Sequence, residues 1–245
     1  MSKRAPSTSI FRRALSRCAL FIVGAGLCAG ATGAVAADAS HPVVVELFQS
    51  QGCSSCPPAN ANLNALSARA DVLALSFSVT YWDSLGWKDT FAKGQFTDRQ
   101  YAYAHALGQA NVYTPQVIVN GRLEGVGAER GEIEALMRKA ERAPGPTVAI
   151  ADGAADIGAA PGPGGAADVW LVRYDARTLE VPVLRGENAG KTLAHRNIVR
   201  QLVRLGGWSG QAERFALPAS PDPNWIAAIL VQAPGAGQIL AAARG

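Results

Sequence analysis

Gln49-Ser-Gln-Gly-Cys-Ser-Ser-Cys-Pro-Pro-Ala-Asn60 sets two cysteines two residues apart. Before it runs the apolar Val43-Val-Val-Glu-Leu-Phe48, and after it Leu63 and Leu66 lie three apart, as on one face of a helix. A short, nearly continuous apolar run is what a strand covered on both faces of a parallel sheet requires. Pro57 and Pro58 lack amide protons and are tolerated only in a first helical turn, which places Ser55 at the N-cap and Cys56 at the first helical position. Cys53 then falls just ahead of the helix dipole, where only a modest lowering of its thiol pKa is expected.

Outward from this junction the chain alternates. Val72 to Thr80 reads as a strand, with Leu73, Leu75, Phe77 and Val79 on one face. In Phe96-Thr-Asp-Arg-Gln-Tyr101, Thr97 and Gln100 have the spacing of a capping box and Phe96 and Tyr101 that of a hydrophobic staple, so a helix is expected from there to Gly108. Gln116-Val-Ile-Val119, the pair Asn120-Gly121 and Leu123 to Val126 form a strong hairpin signal. A last helix from about Glu129 to Arg142 carries Ile133, Leu136, Met137 and Ala140 on one stripe, with Glu134 and Arg138 spaced as an ion pair. The order is β-α-β-α-β-β-α. After Ala143-Pro-Gly-Pro146 the texture changes to short apolar runs between Gly/Pro-rich turns. Expected strands are 147–150, 169–174, 181–185, 192–205, 214–217, 225–232 and 238–241, with a turn at Glu187-Asn-Ala-Gly190 and a loop over 159–167. They suggest a sandwich-like, mainly β domain over 144–245, following an α/β domain over 38–143. Residues 197–205 also suit a helix.

Residues 1–37 read as a secretory signal peptide: Lys3, Arg4, Arg12, Arg13 and Arg17, an uncharged Ala/Gly/Leu-rich stretch, then Ala34-Val-Ala-Ala37. That stretch is too weakly hydrophobic to favour an uncleaved anchor. Five of the chain's 23 basic residues lie there and none of its 19 acidic ones, so the remaining 208 residues hold 18 basic against 19 acidic groups. The formal charge of +4 therefore belongs to the export signal, and no case for nucleic acid or anionic lipid as a partner survives. Cys18 and Cys28 leave with the signal. Cys53 and Cys56 are then the remaining thiols of a periplasmic or secreted protein, able to pair with each other, a metal or another molecule.

Three chemistries suit such a pair. Disulfide exchange needs a thiolate that attacks one sulfur and a second thiol near enough to resolve the mixed disulfide. A staple is the plain alternative, but chain entropy gives a four-residue ring only about 2 kcal/mol, against about 3 for a fifteen-residue loop. A dithiolate with His105 or His195 could also take copper(I) or zinc, although a structural zinc site would want a second cysteine pair or close histidines.

The order of elements, with Cys53-Ser-Ser-Cys56 at the first strand-to-helix junction and Thr114-Pro115 before the third strand, resembles the thioredoxin fold. More closely, Val44-Val-Glu-Leu-Phe-Gln-Ser-Gln-Gly-Cys-Ser-Ser-Cys-Pro-Pro58, Tyr81-Trp-Asp-Ser-Leu-Gly-Trp-Lys-Asp89, Val112-Tyr-Thr-Pro-Gln116 and Arg185-Gly-Glu-Asn-Ala-Gly190 are similar to a family of secreted bacterial thioredoxin-like proteins, DUF1223. The resemblance implies thiol–disulfide exchange with protein thiols or disulfides, without a cofactor or resident metal. It implies Cys53 as an accessible nucleophile, Cys56 as resolver and a cis bond before Pro115, with the backbone at Thr114 free to pair with an extended peptide. Thioredoxins carry a buried acid on the corresponding strand that relays a proton to the resolving cysteine, a role implied for Glu46; the alternative is a polar contact at a domain junction. Where the family commonly has His and Asp this chain has Ser78 and Thr80, so no role of that pair carries over. Tyr81, Trp82 and Trp87 follow the second strand and either rim the dithiol for a protein substrate or pack, with Asp83 bracing their loop.

Overall fold

The protein is described by a computed structural model covering residues 1–3, 37–140, 145–160 and 166–245. Most of the expected export signal, the segment 141–144 and the loop centre 161–165 lie outside the described residues. Among those described, no helix is long and apolar enough to cross a membrane.

The first half follows the expected order: β1 (Val43–Gln49), α1 (Cys56–Leu66), β2 (Val72–Ser78), α2 (Gly94–Ala106), β3 (Gln116–Val119), β4 (Leu123–Gly125) and α3 (Arg130–Lys139), with a 3-10 turn at Asp83–Leu85. β1 and β2 are parallel, while β1 with β3 and β3 with β4 are antiparallel. The hairpin turns over the three residues 120–122, with Asn120 and Gly121 both at positive φ (49° and 65°) and Arg122 N donating to Val119 O at 3.0 Å. α2 begins at Gly94, earlier than expected, and neither proposed device operates. The Thr97 hydroxyl accepts the Thr80 amide at 3.0 Å, Gln100 donates to Tyr113 O at 2.7 Å, and Tyr101 is 54% exposed. Tertiary partners have outbid the local cap. Glu134 likewise pairs with Arg69 at 3.0 Å, across from α3, and the expected partner Arg138 is not the one it takes.

The second half is almost wholly β: β5 (Val148–Ala151), β6 (Ala154–Ile157), β7 (Ala167–Asp175), β8 (Leu179–Pro182), β9 (Thr192–His195), β10 (Ile198–Trp208), β11 (Glu213–Ala216), β12 (Trp225–Gln232) and β13 (Ile239–Arg244). Residues 198–205 are strand, with no helical turn, and the expected strand 192–205 is interrupted at 196–197. Among the described residues eight strands join in one sheet, in the order β13-β12-β7-β10-β2-β1-β3-β4. β10 lies parallel beside β2 with Ile198 opposite Ser76. Asn197, at φ 50°, makes the join: its carbonyl accepts the Ser76 amide at 2.9 Å and its Nδ2 donates to Ala74 O at 2.8 Å. A three-stranded sheet, β11-β6-β5, and a two-stranded ribbon, β8-β9, complete the half.

Alternation along the strands sorts the core. Val44, Phe48, Leu73, Leu75 and Phe77 pack with Phe96 and Tyr103 of α2, and the same cluster takes in Val172, Tyr174 and Leu230. Val45, Leu47, Val72 and Ala74 meet Ala59 and Leu63 of α1 and Ile133 and Met137 of α3. Val169, Leu171, Ile229 and Val231 meet Ala155, Ile157 and Phe215, so the small sheet stacks on the strands of the second half in a sandwich-like layer. Burying each Val, Leu, Ile, Phe or Met side chain among them contributes roughly 1.5–3 kcal/mol relative to exposure.

Candidate functional site

The two cysteines sit where β1 hands over to α1. The loop turns on backbone bonds, Cys53 N to Ser50 O at 3.1 Å and Cys56 N to Cys53 O at 3.2 Å. Ser55 is the N-cap and the two prolines occupy the first turn, but the Ser55 hydroxyl makes no cap. It lies 3.3 Å from Cys53 Sγ and donates to Thr114 O at 3.4 Å. Cys53 and Cys56 are joined as a disulfide with their Cα atoms 5.4 Å apart. The Thr114–Pro115 bond is cis, and through Thr114 this turn is brought to the dithiol loop.

The expectation that Cys53 is accessible is overturned: it is 0% exposed and Cys56 2%. The other half of the chain is held against this loop. Asn188, itself buried, donates through Nδ2 to Gln51 O at 2.9 Å and Cys53 O at 2.8 Å. Glu187 Oε2 accepts the Ser54 amide at 3.1 Å, and the Ser54 side chain together with this amide holds its carboxyl below the ordinary range. Trp82 packs on the same loop at Gly52, where an added Cβ would stand 3.4 Å from the Trp82 Cβ.

The aromatic residues pack, with their polar tips engaged. Trp82 Nε1 donates to Thr114 Oγ1 at 2.7 Å, Trp87 Nε1 to Gln51 Oε1 at 2.9 Å, and Tyr81 OH to Gln100 Oε1 at 3.2 Å. Burial pushes the Tyr81 phenol up to about 12. Asp83 does brace their loop, accepting the Asp89 amide at 3.0 Å. The large apolar side chain left 56% exposed there is Leu85.

Glu46 is placed away from the relay position. It shares its face of β1 with Val44 and Phe48, toward α2, whereas α1 and its cysteine pack on the face of Val45 and Leu47. Arg99 binds its carboxylate through Nε at 2.7 Å and Nη2 at 3.2 Å, and Tyr103 OH donates to it as well. Gln232 closes the set, accepting from Arg99 at 3.2 Å and donating to Tyr103 OH at 3.0 Å. A cavity of about 290 Å³ adjoins this network, lined in part by Arg99, Trp170, Leu202 and Gln232. Glu46 is a saturated structural acid.

The α1 face holds what the sequence reading missed. Asp89, 3% exposed, accepts the Gln51 amide at 2.8 Å and the Phe91 amide at 2.8 Å. Burial raises its carboxyl to about 6, helped by the charge of Asp83, against the lowering pull of these amides and of Ser78. Behind α1, Asn60 Nδ2 lies 3.2 Å from His195 Nδ1, and burial pushes His195 down to about 4, so it is neutral. Asn60 Oδ1 and His195 Nε2 are buried without a hydrogen-bond partner. Gln49 reaches the Ser78 hydroxyl at 2.9 Å on the same face. Among the described residues no three His, Cys, Asp or Glu side chains are grouped as metal ligands. His105 is exposed on α2. Asp89 and Asn188 stand inside motifs quoted from the sequence, and position in a motif was the available signal; as polar residues in turns they read as turn formers.

A family model described as "Protein of unknown function (DUF1223)" matches residues 44–232. The crystal structure of protein AGR_C_4864 from Agrobacterium tumefaciens is 34% identical, with 86% of this chain and 95% of that chain covered at a TM-score of 0.69. HBP35 of Porphyromonas gingivalis shares the fold at 12% identity and a TM-score of 0.53, over 84% of this chain and 75% of that one. No curated protein matches. From the matched span, which takes in both the dithiol loop and the turn at Glu187 and Asn188 that contacts it, the chain belongs to the DUF1223 family.

Proposed function

We propose that this protein is an exported thiol–disulfide exchange protein, built on a thioredoxin-like first half and acting on protein thiols or disulfides through Cys53 and Cys56. The observation that carries the reading is the disulfide at the β1–α1 junction, with the Thr114 carbonyl within hydrogen-bond distance of Ser55 in the same loop. The strand order β2-β1-β3-β4 within the larger sheet and the cis bond before Pro115 support the thioredoxin-like arrangement. Export to the periplasm or beyond rests on the charged and apolar N-terminal pattern of residues 1–37.

In the oxidising direction a client thiolate attacks Cys53 Sγ, the Cys53–Cys56 bond breaks, and Cys56 leaves as a thiolate that takes a proton. A second client thiol then displaces Cys53 from the mixed disulfide. The client loses two electrons and two protons, and the pair gains them. In the reducing direction each step runs backward. No bound cofactor is called for.

An inert staple is the second reading, favoured by the burial of both sulfurs. Alkylation of the purified protein across a series of thiol redox buffers separates the two: a midpoint within the biological range supports exchange, and a bond that stays closed at every potential supports the staple. Metal analysis of the reduced sample tests copper or zinc on the same sulfurs. Cys56→Ser should accumulate mixed disulfides with clients in cells.

A further inference from the structure

The turn that covers the dithiol is built unlike its surroundings. From Leu184 to Lys191 every residue but one is exposed, Leu184 at 73%, and the exception is Asn188. The turn holds its own shape: Ala189 N donates to Gly186 O at 3.1 Å, Gly190 N to Val183 O at 2.8 Å and Lys191 N to Asn188 O at 3.1 Å, with Gly186 and Gly190 at φ 75° and 81°. Lys191 Nζ donates to Asn188 Oδ1 at 2.9 Å and fixes the amide so that Nδ2 faces the dithiol loop. What joins turn to loop is the pair of Nδ2 bonds to Gln51 O and Cys53 O and the Glu187 contact on Ser54 N. β9, which pairs with β8, is anchored independently, since Asn60 and Asn64 of α1 both donate to Ala194 O. Gly186 also packs close to Leu85 and Trp87, where an added Cβ would stand 3.3 Å from the Trp87 Cβ. Lifting the turn as a preformed piece breaks those few bonds and parts that contact, without unfolding a strand or helix.

Resting on the exchange reading above, we propose that the turn 184–191 is a hinged cover, that Asn188 is its latch, and that thiol exchange at Cys53 proceeds from the state in which the cover has lifted. Asn188 and Glu187 are positioning residues: neither reacts, and both set how often the sulfur is presented. The arrangement selects against thiols that meet the protein only briefly. It favours clients that also hold the lifted turn, because binding to the open state raises its population.

The test is the rate at which the folded full-length protein's disulfide is reduced, measured with a small trialkylphosphine and with a protein dithiol as probes, in wild type, Asn188→Ala, Asn188→Asp and Glu187→Ala. Loss of the two Asn188 bonds should speed reduction on the order of tenfold or more. Asn188→Asp, which sets a carboxylate against two carbonyls at unchanged volume, should do at least as much, and Glu187→Ala, at an exposed side chain, a few-fold. The gain should be larger for the protein dithiol than for the phosphine. Urea unfolding midpoints show that each variant compared is folded, and Glu187→Ala carries the test if the Asn188 variants are not. Equal rates in wild type and folded variants overturn the cover and leave exchange standing. Reduction of the variants with wild type resistant supports the cover. A bond that resists both probes in every folded protein overturns the cover and the exchange reading together.

Discussion

β1 divides two buried polar sets that look alike in composition and differ in how fully they are satisfied. Toward α2, Glu46, Arg99, Tyr103 and Gln232 bond one another and neutralise the charge. Toward α1, beside the dithiol, Asp89 keeps a raised pKa, and Asn60 and His195 each leave an atom unpartnered. Inside a protein a complete network rigidifies, while an incomplete one stays poised to change protonation or partner. On the proposed exchange function, stability falls to one face and chemistry to the other.

The strongest way to break that assignment is at Arg99. Arg99→Ala leaves Glu46 buried without its counter-charge and should cost about 3–5 kcal/mol in urea unfolding. Replacing both, as Glu46→Leu with Arg99→Met, should recover most of that loss, and disulfide exchange by the double variant should match wild type. Slower release of mixed disulfides in the folded double variant would return Glu46 to the chemistry.

The next test uses pH. Asp89 rises from the ordinary 3.8 to about 6 in the folded chain, so between these values the unfolded chain ionises first. Its stabilising contribution is present in full below about 3.8 and is lost as pH rises through about 6, on the order of 3 kcal/mol. His195, lowered from 6.5 to about 4, works oppositely: its contribution is present above 6.5 and is lost as pH falls through about 4. The two offset each other in wild type, so the informative quantity is the stability difference between wild type and Asp89→Asn. That difference should fall by roughly 2 kcal/mol from pH 4 to pH 7; a flat difference would mean that Asp89 is not buried as a poised acid.

The smallest effect sharpens the comparison at the loop between the faces. Trp82→Phe removes the donor to Thr114 Oγ1 and should lower stability by about 1 kcal/mol, read as a shifted urea midpoint at unchanged slope. No shift would move Trp82 from packing to the substrate rim.

How much of this was legible in the sequence follows from the range of the forces involved. β1, the cysteine junction, the Asn120-Gly121 hairpin and α3 rest on local patterns, and the structure places them within a few residues. Glu46 was misplaced because Val43 to Phe48 is apolar on both faces, so alternation says that residue 46 shares a side with 44 and 48 but not which helix covers that side. The accessible Cys53 failed for a longer-range reason: its cover stands 135 residues away at Asn188, and no local pattern reports a turn that folds back over another. The start of α2 was misread because Thr97 and Gln100 fit a cap in isolation and found better partners in Thr80 and Tyr113.

The join at Asn197 has a consequence for anyone shortening the chain. A fragment ending at Lys139 would keep β1 to β4 and all three helices, yet strip β10 from the flank of β2. Val72 to Ser78 would become a bare edge of seven apolar or small residues with open amides and carbonyls, without the charge or proline that proteins use to discourage strangers. Such a fragment should gather into multimers or aggregates at concentrations where the whole chain remains dispersed.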